Sequence, residues 1–271
     1  MNNAIIIQAR MSSTRLPGKV LLPLGDTTVL GQVLRRAKAI PGITHVCVAV
    51  PDTAVDEPVA AEAAACGALV YRGPEDDVLR RYHDAAVWLR ADTVMRITSD
   101  CPIFSPALSG AVLQLLIESG ADYSSNNMPA SWPHGTETEV FSMALLAACQ
   151  RQAETQFERE HVTVLMRYRD DVKRINLLGA HPEQRTLRWT VDHPLDYKFM
   201  TRLFDITGPQ GPRDMNETLA ILSERPELSE VNAHFGHYDA EEPQVISKMI
   251  ECWSPLRFRD VPSQQHKAIE N

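Results

Sequence analysis

The sequence predicts an α/β protein with a mostly parallel sheet. Short β-branched runs alternate with longer helical patterns through the first 120 residues, and the rhythm changes only after Gly120. The chain has 271 residues, 44% of them hydrophobic and 23% charged, which suits one large α/β domain with a full core. A single domain is expected over residues 1–253, in two halves at about 1–120 and about 121–253. A polar tail at 254–271 follows.

The elements follow in order. Ala4 to Gln8 reads as a strand, Val29 to Ile40 as a helix, His45 to Val50 as a strand and Val55 to Cys66 as a helix. Ala68 to Tyr71 and Thr93 to Ile97 read as strands, each followed by a helix, at Asp77 to Arg90 and Pro106 to Glu118. From Tyr123 to Pro133 the pattern is a polar, proline-containing loop. Thr136 to Phe141 then alternates as a strand, where the sheet is expected to become mixed. Helical patterns at Met143 to Gln152 and Glu158 to Arg169 precede strands at Lys173 to Leu177 and Arg188 to Val191. Helices around Leu195 to Phe204 and Asn216 to Leu222 complete the pattern. Open parallel sheets bind ligands beyond the carboxyl ends of their strands. Chemistry is therefore expected just after Ala9, Val50, Tyr71 and Thr98.

A net charge of −8 opposes adsorption to nucleic acid or an anionic membrane surface and favours small-molecule partners. Met1 leads into Ala4-Ile-Ile-Ile-Gln-Ala9 with no basic region ahead of a long apolar stretch. No window approaches the roughly 20 apolar residues of a membrane span. A cytoplasmic protein is expected. The five cysteines, Cys47, Cys66, Cys101, Cys149 and Cys252, are widely spaced without a C-x-x-C pair, and read as reduced core thiols.

The most informative stretch is Arg10-Met-Ser-Ser-Thr-Arg-Leu-Pro-Gly-Lys19, directly after the first strand. Ser12, Ser13 and Thr14 let backbone approach a phosphate and offer donors, while Arg10, Arg15 and Lys19 supply three positive charges. The alternative is that these cations are solvated loop charges. The spacing is not that of a Walker A loop, and no G-x-G-x-x-G follows any strand.

Gln8 to Lys19 resembles the opening motif of the CMP-sugar synthetases, the acylneuraminate and Kdo cytidylyltransferases. Resemblance to the spore-coat polysaccharide biosynthesis protein F branch continues through Ser99-Asp-Cys-Pro102, Glu139-Val-Phe-Ser142, Glu160-His-Val-Thr163 and Arg188-Trp-Thr-Val-Asp192. It implies a Rossmann-like three-layer α/β/α nucleotidyltransferase fold with a mostly parallel, mixed central sheet. It also implies transfer of CMP from CTP to an acidic sugar of the nonulosonate kind, release of pyrophosphate, Mg²⁺ dependence, a role in surface polysaccharide synthesis and a homodimer, with the nucleotide half at about 1–120 and the acceptor and dimer half at about 121–253.

The residues expected to act in catalysis are Lys19, Arg10 and Asp100. Expected nucleotide contacts are Ala9, Arg10, Met11, Ser12, Ser13, Thr14, Arg15 and Lys19, with Ser99 and, from the segment after the third strand, Arg72 and Asp77. Asp76 and Asp77 read equally well as helix caps. Asp100 closes a strand, and Mg²⁺ needs only one or two carboxylates beside phosphate oxygens and water. Asp192 is the natural second ligand or, alternatively, a helix cap before Pro194; the resemblance implies that both aspartates hold the metal. Acceptor contacts are expected from Asn127, Gly135, Glu139, Arg185 and Arg188, since arginine reads a planar carboxylate. Arg185 and Arg188 also read as surface residues of an edge strand. The chain departs from the branch pattern at Gly135-Thr-Glu, often Gly-Leu-Asp, and at Asp192-His-Pro-Leu-Asp196, often Asp-x-Pro-Glu-Asp. Two other functions stand beside this one: nucleotidyl transfer with a different donor or acceptor, such as a sugar-1-phosphate or a phosphonate, and nucleotide-sugar binding without turnover.

Overall fold

A computed structural model describes residues 1–235 and 258–260. Residues 236–253 of the expected domain, Cys252 with them, and the tail apart from 258–260 lie outside the described residues. The strands are β1 (Asn3–Gln8), β2 (Pro23–Leu24), β3 (Thr27–Thr28), β4 (His45–Pro51), β5 (Leu69–Gly73), β6 (Thr93–Thr98), β7 (Tyr123–Ser125), β8 (Glu139–Ser142), β9 (Arg174–Leu178) and β10 (Phe258–Asp260). The helices are α1 (Val29–Lys38), α2 (Glu57–Ala65), α3 (Val78–Leu89), α4 (Pro106–Ser119), α5 (Met143–Gln152), α6 (Gln156–Glu160), α7 (Val164–Tyr168), α8 (Pro194–Thr207) and α9 (Met215–Glu224).

The main sheet has the order β10-β9-β7-β8-β6-β1-β4-β5, and β2 pairs with β3 in a separate hairpin. β1 pairs in parallel with both β4 and β6, whereas β8 runs antiparallel to both β6 and β7. The sheet is thus mixed and mostly parallel, as expected. Period-two alternation on β1 serves both faces. Ile5 and Ile7 pack with α1, α2, α4 and α8, while Ala4 and Ile6 pack with α3, α5 and α7. The result is three layers. After β1 the chain builds outward to β5, then returns to lay β6 on the other side of β1. This reversal opens a crevice at the carboxyl ends of β1 and β6.

The structure corrects the sequence-based elements in five places. The helix expected at Glu158 to Arg169 is two short helices, broken where Val162 takes φ 54°, a conformation that β-branched residues rarely adopt. Arg188 to Val191 is not a sheet strand: His134 and Arg188 form an isolated bridge, and the segment lies against the loop before β8 and the end of β6. Tyr123–Ser125, read as loop, is a fully buried strand, because the Ser124 and Ser125 hydroxyls donate to Val112 O at 3.1 Å and Asn176 Oδ1 at 2.9 Å. Phe258–Asp260, read as irregular tail, pairs in parallel with β9. The β2–β3 hairpin had no counterpart in the reading; Gly25, at φ 64°, makes its turn where a Cβ would meet Pro209 O.

Helix α1 starts where the Thr28 hydroxyl accepts the Gly31 N–H at 2.9 Å, and it buries Leu30 completely. Thr28→Ala is expected to cost about 1 kcal/mol, and Leu30→Ala about 2–5 kcal/mol. Urea unfolding of each variant checks both values and their order.

Candidate active site

The loop after β1 is fixed at both ends. The Met11 N–H donates to the buried Asp56 carboxylate at 2.7 Å, and the Gly18 N–H returns to Met11 O at 3.1 Å. Gly18 stands at φ 67° and starts the 3-10 turn Lys19–Leu21, in which Val20 is buried. Anchored by that neighbour, Lys19 reaches inward. Its Nζ donates to Asp100 Oδ2 at 2.6 Å and to Asp192 Oδ1 at 2.9 Å. Arg15 pairs with the other oxygen of Asp192, and Arg10 lies 4.0 Å from Glu160 in an exposed pair.

Asp192 comes to this point through backbone contacts: the Val191 N–H donates to Asp100 O at 2.7 Å and the Trp189 N–H to His134 O at 2.6 Å. The capping alternative for Asp192 is not the one taken. Asp196 Oδ2 accepts the backbone N–H groups of Asp192 at 3.0 Å and His193 at 2.9 Å, which leaves the Asp192 carboxylate facing Lys19 and Arg15. Burial alone would raise the Asp100 carboxyl, but the adjacent Lys19 ammonium outweighs it and holds the group at about 2. Burial likewise opposes the Lys19 charge, yet the two aspartates raise its pKa.

Two cavities of ≈ 410 and ≈ 420 Å³ meet at this cluster, and Asp100 and Asp192 line both. The first has Ser13, Thr14, Lys19, Arg81 and Ser99 on its walls, and Ala9, Arg10 and Arg15 also border it. The second is lined by Asn127, His134, Glu139, Arg96, Arg167 and Arg188. At its floor the buried Glu139 carboxylate accepts from Arg96 Nη1 at 2.5 Å, Arg167 Nη2 at 2.6 Å and the Tyr123 hydroxyl at 2.5 Å. Burial works to raise the Glu139 carboxyl, but the two guanidinium groups outweigh it and hold it far below the usual range. Arg188 is clamped by Asp196 at 2.9 and 3.1 Å. Burial and Arg188 push His134 down to about 4, so its imidazole is neutral at pH 7.

Several expected residues stand elsewhere. Arg72 lies on the edge strand β5 and forks onto Glu57, both bonds at 2.9 Å. Asp77 takes its capping alternative: it accepts the Arg80 N–H at 2.9 Å and pairs with Arg159 at 2.8 Å. Arg185 is an exposed residue of the 3-10 turn Pro182–Thr186. Arg72, Asp77 and Arg185, together with Met11 and the exposed Ser12, border neither cavity. Gly135 has a backbone role: at φ 100° its Cβ would sit 2.5 Å from the Trp189 carbonyl carbon.

Arg81, Arg96 and Arg167 also line these cavities and are not among the residues expected from the sequence. Arg96 carried a signal, a lone charge inside the apolar strand Thr93–Thr98. Arg81 had none, since it looks like one of a pair of helix-surface arginines. It is 2% exposed and donates to Pro74 O at 2.7 Å, holding the turn after β5 beside the first cavity.

Removing the Glu139 charge strands two arginines, so Glu139→Gln is expected to cost about 3–5 kcal/mol at pH 7. The folded-state pKa is depressed, so the contribution is complete above the ordinary glutamate value near 4.5 and is lost as pH falls below it. Urea midpoints of the two proteins should therefore differ most at neutral pH and converge on acidification.

The cytidylyltransferase family model matches residues 4–222. The chain is 31% identical over 237 residues to the Bacillus subtilis spore coat polysaccharide biosynthesis protein SpsF, covering 84% of this chain and 98% of that one. A cytidylyltransferase structure from Leptospira borgpetersenii superposes with TM-score 0.80 at 27% identity, over 84% of this chain and 97% of the other. Two further structures share the fold. A CMP:2-keto-3-deoxy-manno-octonic acid synthetase complexed with CTP has TM-score 0.58 and 17% identity, over 76% of this chain and 99% of that one. A Mycobacterium tuberculosis protein in complex with manganese has TM-score 0.53 and 18% identity, over 74% and 99%. The chain belongs to the cytidylyltransferase family.

Proposed function

We propose that this cytidylyltransferase transfers CMP from CTP to an acidic, nonulosonate-like sugar in a Mg²⁺-dependent reaction that releases pyrophosphate, for surface polysaccharide synthesis. The observation that carries the reading is the meeting of the two cavities at Asp100, Asp192 and Lys19, one wall rich in loop donors and the other in buried arginines. The SpsF relative supports the polysaccharide context.

Nucleotidyl transfer requires in-line attack on the α-phosphorus with neutralisation of the leaving pyrophosphate, so positioning and charge dominate. Arg10, Arg15 and Lys19 hold the phosphates in this reading, supported by their lining one cavity together with Ser13 and Thr14. Asp100 and Asp192 offer two hard carboxylate ligands from adjacent segments, a donor set that suits Mg²⁺ with phosphate oxygens and water completing its shell. When bound, the ion supplies charge neutralisation at the phosphates. The opposite cavity has Arg96, Arg167 and Arg188 on its wall against Glu139 and Glu137, which favours an anionic acceptor. Arg188 and Arg96 act there as parts of clamped pairs and hold a fixed geometry.

Pyrophosphate release is measured with CTP, UTP, GTP and ATP against a panel of acidic sugars, with and without Mg²⁺. Release is expected with CTP and Mg²⁺ and an acidic sugar; a preference for a neutral sugar-1-phosphate would overturn the acceptor class. Asp100→Asn is expected to lower turnover by about 10²-fold or more while the protein still folds with a single cooperative thermal transition, at a lower midpoint because the pair with Lys19 is lost. Full activity in that variant would sink the assignment.

A further inference from the structure

Each cation of the loop after β1 already faces a carboxylate of the chain itself. Lys19 bridges Asp100 and Asp192 at 2.6 and 2.9 Å, Arg15 takes the second oxygen of Asp192, and Arg10 faces Glu160 at 4.0 Å. Three cations thus meet three carboxylates, and the cluster is close to neutral. The Lys19 side chain is 11% exposed and its ammonium sits where the two aspartates converge. A divalent ion held by both carboxylates would come to this same point, where it and the ammonium repel each other.

We propose that Lys19 occupies the metal position of the resting protein and leaves it only when a nucleotide phosphate takes its ammonium, so that nucleotide and metal enter by a single exchange. This rests on the reading of Asp100 and Asp192 as metal ligands. A divalent ion entering alone would meet a cation at its own position. A triphosphate entering alone would find the loop cations already paired. When both enter, the phosphates take the cations and the ion takes the carboxylates, so no charge is left unmatched at short range. Each therefore raises the affinity of the other, as linkage requires. Lys19 acts toward the metal as a positioning residue, distinct from its contact with phosphate.

The test follows free Mn²⁺ by electron paramagnetic resonance as it is titrated into the full chain, with the signal from CTP-bound Mn²⁺ subtracted where CTP is added. Without nucleotide the wild type should bind Mn²⁺ weakly, and Lys19→Met should bind it about tenfold tighter or more. Lys19→Gln replaces the methionine variant if that one does not fold. Arg15→Met also removes a cation next to Asp192 but does not touch Asp100, and should gain clearly less. Equal affinity in wild type and Lys19→Met, with CTP-dependent uptake intact in the wild type, would overturn the exchange alone. An equal gain in Arg15→Met would reduce the effect to general charge and overturn it as well. Absence of Mn²⁺ uptake in wild type and both variants, even with CTP, would overturn the metal reading beneath it.

Discussion

The backbone hydrogen bond from Val191 to the Asp100 carbonyl, 2.7 Å long, is the contact through which this molecule acquires an active site. Asp100 and Asp192 are 92 residues apart, and the sheet carries only the first of them. The segment that delivers the second makes no ladder of its own. It is held by this bond, by the bond from Trp189 to His134, and by the complete burial of Trp189 and Val191 in the core beneath. The close approach also explains Gly135, where a Cβ would strike the Trp189 backbone. Without that docking, Lys19 would face a single carboxylate and the two cavities would not share a wall.

Electrostatics then divide the site. On the side of the loop after β1, Arg10 and Arg15 are partly exposed and paired with carboxylates. In the second cavity the charges are buried and mutually locked, with Glu139 between Arg96 and Arg167 and Arg188 on Asp196. Breaking such buried pairs is costly, so the wall around Glu139 is rigid, while the cations of the loop after β1 can change partners at less cost.

Much of the fold was legible because local pattern and final structure agree. The αβ alternation up to Gly120 follows from hydrophobic periodicity and from caps such as Thr28, Asp77 and Ser105, each of which accepts a backbone N–H in the first turn of its helix. Legibility fell where burial was polar. Tyr123–Ser125 reads as loop because serine disfavours strands, and only partners 12 and 51 residues away satisfy its hydroxyls. Arg81 and Arg167 read as surface charges, because nothing local reveals the carbonyls and carboxylate that receive them.

By itself the sequence determined the layered α/β architecture, the cation-rich loop at the end of the first strand and the aspartate closing the fourth parallel one, since each depends on periodicity or on residues adjacent in the chain. The tertiary structure alone decided that Asp196 caps its helix and releases Asp192 toward Lys19, and that Arg72 lies at the sheet edge away from both cavities. Capping, pairing and ligation draw on the same carboxylate lone pairs, and which use prevails is set by neighbours that chain folding brings from far away.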